Sequence, residues 1–222
     1  MKTLVIMQPT YLPYLGWFDL MRHCDEFVVY DCAQFSKQSW QQRNRVRDKN
    51  GEIMLTVPVV TKGLLGQRID EVRLDPTSNW AKKHLDTIRF NYAKSRNFAS
   101  FFPKLEAVYA ARHETLLALD MALIELGRAE LGIATKLTMA SALKPEGGEV
   151  PALVDMCRKT GATRYLSTPG SKVYIDQNNL FPAAGIELVY HSFAHPQYVQ
   201  RPHKDFISHL AFIDYLFHRD NP

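Results

Sequence analysis

The chain has little cysteine, and what it has is scattered. Cys24, Cys32 and Cys157 form no CxxC pair, and an odd count argues against a disulfide framework. No apolar run approaches the length of a membrane-spanning helix, so no membrane span is expected. The first residues carry one Lys, a short apolar run and then Gln-Pro, with no small-residue cleavage site. That pattern is not a signal peptide, and the cytoplasm is the expected compartment. Repeats, low-complexity tracts and long charge runs are missing as well. So are the familiar catalytic signatures: there is no HExxH, no GxSxG, no Cys/His zinc spacing and no GxGxxG. No metal ligand set is assigned. A grouping of His191 and His195 with Asp176 and Asp214 is conceivable, but nothing in its spacing requires it.

What remains is a chain of 222 residues, 46% of them hydrophobic, enough for one large domain, residues 1–222, with a helical subregion at about 78–131. Its formal charge of +4 is mild. That suits a site for a small anion better than a surface that wraps nucleic acid. No nucleic-acid partner is expected, and the oligomeric state is left open.

Residues 3–31 read as a βαβ unit. Thr3–Met7 is a β-branched and apolar run, Gln8-Pro9-Thr10 breaks it, and Pro13 suits the first turn of a helix. Leu15, Phe18 and Met21 recur at helical spacing. A second apolar strand runs from Glu26 to Tyr30 and ends at Asp31. A unit of this size implies parallel strands. Gln8 and Asp31 are then neighbours at the carboxyl edge, where open α/β sheets bind their ligands.

A hairpin is expected next, roughly residues 42–47 with 53–59, turning at Lys49-Asn50-Gly51. Alternation puts Arg43, Arg45 and Arg47 on one face and Asn44, Val46 and Asp48 on the other. Three guanidinium forks in a row make an anion trap, or equally a solvated edge. Gln34, Lys37, Gln38, Trp40, Gln41 and Gln42 beside them favour a site for a planar polar ligand.

Thr61–Gly66 reads as a surface loop and Ile69–Leu74 as a short strand. Apolar stripes predict helices at Trp80–Tyr92, 98–112 and 113–131, the last closed by Gly132. A strand near 135–140, a helix at 150–160 stopped by Gly161, and strands at 164–167 and 186–193 follow. Between those two strands sits a short helix at 179–184. The turn Thr168–Lys172 is a weak phosphate signal. A terminal helix is expected over about 205–218. The fold class is therefore α/β: a mostly parallel sheet opened by the βαβ unit, with an inserted hairpin and a helical segment. Asp31 and Asp214 are the carboxylates to test as base or metal ligand, and His195 is the histidine. By analogy, QPTYLPYLGW stands where HIGH-type nucleotidylyltransferases carry their HxGH, with Tyr11 and Gly16 present but no histidines.

IMQPTYLPYLGWFDLM, FVVYDCAQFSKQSWQQRNRVRDKNG, LTVPV, NWAKKHLDTI and HPQYVQ…FIDYLF together resemble the WbqC-like family, from residue 4 to about 218. The chain has Tyr14 where that pattern often has Trp, Ala211 where it often has Ser, and LFHRD in place of LFNxG. Matching positions include Gln8, Tyr11, Gly16, Asp31, Gln34, Lys37, Trp40, Arg43, Asn44, His195, Tyr198 and Gln200. The resemblance implies a place in bacterial surface-polysaccharide (O-antigen) biosynthesis. It also implies a suggested role in transferring glycine onto a sugar uronic acid as an amide. Making that amide from a carboxylate needs activation, for which ATP is the natural agent, and fixed positive charge, which Lys37, Arg43 and Arg45 offer. Asp31 and His195 are the catalytic candidates. Gln8, Tyr11, Gly16, Gln34, Lys37, Trp40, Arg43, Asn44, Arg45, Tyr198 and Gln200 are the binding candidates. The expected partner is an anionic small molecule, a nucleotide or nucleotide sugar. A module that holds a nucleotide sugar without turning it over, and a nucleotidylyltransferase-like enzyme, are the competing readings.

Overall fold

In chain order the strands are β1 (Thr3–Met7), β2 (Glu26–Val29), β3 (Arg43–Asp48), β4 (Gly51–Thr56), β5 (Lys136–Met139), β6 (Arg164–Ser167) and β7 (Glu187–Tyr190). The helices are α1 (Leu15–Arg22), α2 (Trp80–Tyr92), α3 (Phe98–Ala110), α4 (Leu116–Leu131), α5 (Ala140–Leu143), α6 (Glu149–Thr160), α7 (Lys172–Ile175), α8 (Leu180–Ala183) and α9 (Phe212–His218). They come from a computed structural model that describes residues 1–177, 179–201 and 205–220. The chain forms two compact units. One takes residues 1–8, 17–33 and 133–194, and the other takes residues 9–16, 34–132 and 195 onward.

The first unit is a five-stranded parallel sheet in the order β5-β2-β1-β6-β7. The α/β class and the parallel pairing of the first two strands are as the sequence predicts. Leu4 lies opposite Glu26 and Met7 opposite Val29. Leu4, Val5, Ile6, Phe27, Val28 and Val29 are all buried. Such an uninterrupted apolar run belongs to a parallel sheet covered on both faces. Leu153, Val154 and Cys157 of α6 pack with Leu4, Ile6, Val28 and Phe181. The Trp17 ring packs 4.7 Å from that of Phe27. Gly161 closes α6 at φ 69°, a conformation glycine adopts without strain.

Glu26 starts β2 almost fully buried. Burial alone would raise its pKa. Hydrogen bonds from Lys2, Thr138 and Lys136 outweigh that and hold the carboxyl at about 2. The ion pairs are Lys2 Nζ at 2.7 Å and Lys136 Nζ at 2.9 Å. A carboxyl depressed on folding contributes stability above its unfolded pKa, and the contribution fades as pH falls toward the folded value. Both lysines are partly solvated, so the contribution is discounted to about 2 kcal/mol. Glu26→Gln is expected to lose that amount at pH 7. The gap to the parent in urea melts should close between pH 4.5 and 2.

The second unit holds the antiparallel hairpin β3–β4 and the helices α2, α3, α4 and α9. Arg43 pairs with Thr56 and Asp48 with Gly51, which leaves Lys49-Asn50 as the two-residue loop. The strands thus start and end slightly off the expected ranges, about the expected turn. Thr115 caps α4 by accepting the Ala118 N–H at 3.2 Å, and Gly132 ends it at φ 65°. An aromatic core fixes α9: Phe217 lies 4.7 Å from Tyr92 and 5.1 Å from Phe101.

Three expected elements differ, the strand expected at 186–193 being only Glu187–Tyr190. Ile69–Leu74 is not a strand; Ile69–Glu71 is a single 3-10 turn, because Glu71 reaches back to accept the Arg68 N–H at 2.9 Å. The last helix starts at Phe212 rather than near Asp205. Backbone groups ahead of it are taken by partners outside any helix. Arg47 donates to the Asp205 carbonyl at 2.7 Å, the Gln200 amide brackets Ile207, and Ala211 N–H donates to Arg45 at 2.9 Å.

Candidate functional site

The candidate residues divide between the units. Gln8 and Asp31 belong to the sheet unit, Gln8 directly after β1 and Asp31 two residues after the end of its neighbour β2. Gln8 is exposed. Asp31 is buried and both its oxygens are engaged: Oδ1 accepts the Ser141 N–H at 2.8 Å and Oδ2 the Ser141 hydroxyl at 2.5 Å. Its carboxylate therefore holds the first turn of α5 to the end of β2.

All the other candidates lie in the second unit. Gly16 is buried, while Gln34 and Lys37 are exposed. Tyr11 is fully buried, and its hydroxyl meets His84 Nδ1 at 2.8 Å and the Tyr109 hydroxyl. Burial holds the His84 imidazole at about 4, so it is neutral there. Asp120, on α4, is fully buried, and neither of its oxygens has a hydrogen-bond partner among the described residues. Burial pushes its pKa well up. Asn44 donates to the Leu12 carbonyl at 2.7 Å and accepts from Arg45 N–H at 2.8 Å, which ties the hairpin to residues 11–12. The glutamine-rich loop is braced in the same way: Gln41 accepts from Ser36 N–H at 2.8 Å, and Gln42 accepts from Gln38 N–H at 3.0 Å.

The arginine row differs from three open forks. Arg45 Nη1 donates to both Glu52 carboxylate oxygens at 3.0 and 3.1 Å, and the guanidinium carbon lies 5.5 Å from the centre of the half-exposed Trp40 ring. Arg47 is buried, donating to Asp205 O. Arg43 is half-buried. Alternation along a strand sets which side chains share a face, but not what covers them.

A different centre forms around Asp214, on α9. Its side chain is fully buried. Oδ1 accepts the Tyr92 hydroxyl at 2.7 Å. Oδ2 accepts the Tyr198 hydroxyl at 2.7 Å and the Gln200 amide at 2.8 Å. Tyr92 in turn accepts the Arg47 N–H at 2.7 Å. Burial, reinforced by Asp214, raises the pKa of both Tyr92 and Tyr198, so both stay phenols. One helical turn on, His218 Nδ1 donates to Asp214 O at 2.8 Å, and its Nε2 accepts the Arg201 N–H at 3.2 Å. Two other stretches of chain, Tyr92 and Tyr198 with Gln200, thus donate to one carboxylate.

Above this network opens a pocket of about 490 Å³ lined by Lys94, Arg96, Tyr198, Arg201, His218 and Asp220, among others. That volume lies in the range of small-molecule sites. Three cations face one carboxylate there, and Arg96 pairs with Asp220. A pocket with excess positive charge, a phenol held by a buried acid and a histidine on its floor suits an anion with hydroxyl groups. His195 belongs to the same unit, with its ring 6.2 Å from Tyr198 and 5.3 Å from His209. Its Nδ1 lies 2.9 Å from the Pro196 carbonyl, and burial lowers its pKa, so the neutral form dominates at pH 7.

Sequence reasoning picked out Tyr198, Gln200, His195 and Asp214 but missed Tyr92, Lys94, Arg96, Arg201 and His218. The only available signal was the continuation of HPQYVQ into Arg201, and the basic Lys94-Ser95-Arg96 after α2. No solved structure matches the chain significantly. An uncharacterized protein of Mycobacterium tuberculosis, Rv1507c, is 35% identical over 178 residues, covering 80% of this chain and 77% of that protein. The match to a family profile over residues 8–221 takes in the Asp214 network and the pocket alike, and by it the chain belongs to the WbqC-like protein family.

Proposed function

We propose that the chain joins glycine, through its amine, to the carboxylate of an anionic sugar, a nucleotide-linked uronic acid, as an amide in surface-polysaccharide synthesis. The observation that carries this is the cationic pocket of Lys94, Arg96 and Arg201 beside Tyr198, which is itself fixed by buried Asp214. Fixed positive charge holds the phosphates and favours charge build-up on an activated carboxylate. ATP supplies the activation in one of two balanced ways: phosphorylation of the carboxylate releases ADP and the amine then displaces phosphate, or adenylylation releases pyrophosphate and the amine then displaces AMP. The attacking amine must then shed a proton, and neutral His195 is the base in this reading. Asp31, whose oxygens are already engaged by Ser141, serves as a cap instead. The remaining candidates, from Tyr11 to Arg45, support the pocket's unit or present the exposed Trp40–Arg45 platform.

The test combines purified protein, ATP, glycine and UDP-glucuronic acid, with mass spectrometry for the amide and a phosphate-release assay. Amide formation that needs all three substrates is expected. His195→Gln should lose turnover and keep sugar-nucleotide binding. Binding without amide in the parent chain would establish the non-catalytic holding module instead. No heat of binding for any of the three would remove both readings.

A further inference from the structure

The sheet unit carries a second cluster that the proposed activity does not use. Asp19 and His23 sit one turn apart at the end of α1, on the same helix face. His191 follows the last residue of β7 and is anchored there by its N–H on Ser167 O at 2.8 Å. One ligating atom from each of the three lies within 4.8 Å of the others. His191 Nε2 is 2.5 Å from Asp19 Oδ2, His23 Nδ1 is 3.6 Å from that oxygen, and the two rings lie 4.5 Å apart.

We infer that Asp19, His23 and His191 form a binding site for a divalent transition-metal ion, zinc first, with coordination positions left open to solvent. The donor set is two imidazole nitrogens and one carboxylate oxygen. Those donors prefer zinc and its neighbours in the first transition row to magnesium or calcium. A single histidine suffices to pair with Asp19, so a second ring tilted against the first calls for another reason. The hydrogen bonding supplies one. His23 Nδ1 lies 2.8 Å from the Asp19 carbonyl. Donation there fixes the tautomer that leaves Nε2 unprotonated, as metal-bound histidines are commonly oriented.

Donors on a tetrahedral zinc ion stand about 3.3 Å apart, given bonds of about 2.0–2.2 Å. The 2.5 Å His191–Asp19 hydrogen bond opens toward that spacing as its proton leaves, while His23 keeps Nδ1 on the Asp19 carbonyl and offers its other ring nitrogen. His23 is half-exposed, with 51% of its side chain in contact with solvent, so the site is open on one side. An ion with three protein ligands and an open position is the arrangement of a reactive rather than a structural zinc.

The experiment is a titration of the untagged, full-length, metal-stripped chain with Zn²⁺ by calorimetry, and with Co²⁺ by visible absorption. One ion per chain is expected, with a Kd in the micromolar range or tighter and d–d bands from a site of low coordination number. His23→Gln, His191→Gln and Asp19→Asn should each weaken binding at least about tenfold. Circular dichroism of each variant should match the parent, since His23 is half-exposed and Asp19 and His191 still reach solvent at 27% and 17%. The chain has eight histidines, so the variants separate this site from the others. An absence of saturable Zn²⁺ binding would overturn the proposal. Parent-like affinity in the folded His23→Gln/His191→Gln double variant, or in folded Asp19→Asn, would do the same.

Discussion

Asp214→Ala is expected to destabilise the chain by about 3–5 kcal/mol, because it strands three buried donors at a cost of about 1–3 kcal/mol each, less than additively. The donors are the hydroxyls of Tyr92 and Tyr198 and the amide of Gln200. Tyr92 and Gln200 are buried, and Tyr198 is half-buried at the pocket, so its hydroxyl loses least. A loss of that size consumes a large part of an ordinary domain's stability. Asp214→Asn keeps the shape but sets an amide N–H₂ against at least one of these donors, so an intermediate loss is expected. Tyr92→Phe removes one arm only and leaves the Arg47 N–H without its acceptor, a cost of about 1–2 kcal/mol. Urea denaturation of the three variants checks the order Ala, Asn, Phe. Equal stability for Asp214→Ala and the parent would show that the network carries no weight.

The second large effect is on binding. Replacing Arg96 and Arg201 together by Ala is expected to weaken UDP-glucuronic acid binding by about 100-fold or more, taking about 1.5–3 kcal/mol for each hydrogen bond between a charged group and its anion. Both side chains are exposed, so the fold should be unaffected. Lys94→Ala should cost less, because an ammonium offers a point charge rather than a planar fork. Arg96 also pairs with Asp220, so Asp220→Asn should free it and tighten anion binding modestly. Calorimetry at two salt concentrations checks this, since screening weakens exposed charge pairs. As a control, Arg45→Ala breaks the pair with Glu52 on the hairpin and leaves the pocket intact. If Arg45→Ala weakened the ligand as much as the double variant does, the binding site would belong to the hairpin face.

Why some of this could be read from residues alone follows from how local each signal is. The parallel start of the sheet was legible because Thr3–Met7 and Glu26–Val29 are unbroken apolar runs with a helix-length spacer. Helices α4 and α6 were legible from stripes closed by Gly132 and Gly161. The strand order depends on crossovers, which leave no mark in a sequence. The terminal helix was read too long because Phe206 and Leu210 continue its apolar period, while hydrogen bonds from Arg47, Gln200 and Arg45 hold that stretch extended. The arginine alternation was visible in RNRVRD. The burial of Arg47 was not, since the residue that covers it, Asp205, is far along the chain. The Asp214 centre was half legible. Tyr198 and Gln200 stand out in HPQYVQ and Asp214 as a carboxylate in an apolar helix, but nothing in the sequence joins them, and Tyr92 comes from the far side of the chain. Asp19 and His23 have a readable i,i+4 spacing, whereas His191 joins them only through the fold.

A crystal structure grown with saturating UDP-glucuronic acid tests the central claim most directly. The account predicts ligand density over Tyr198, with the diphosphate or the carboxylate bonded to Arg96 and Arg201. Density seated elsewhere on the chain, or that pocket left vacant at saturation, would contradict it.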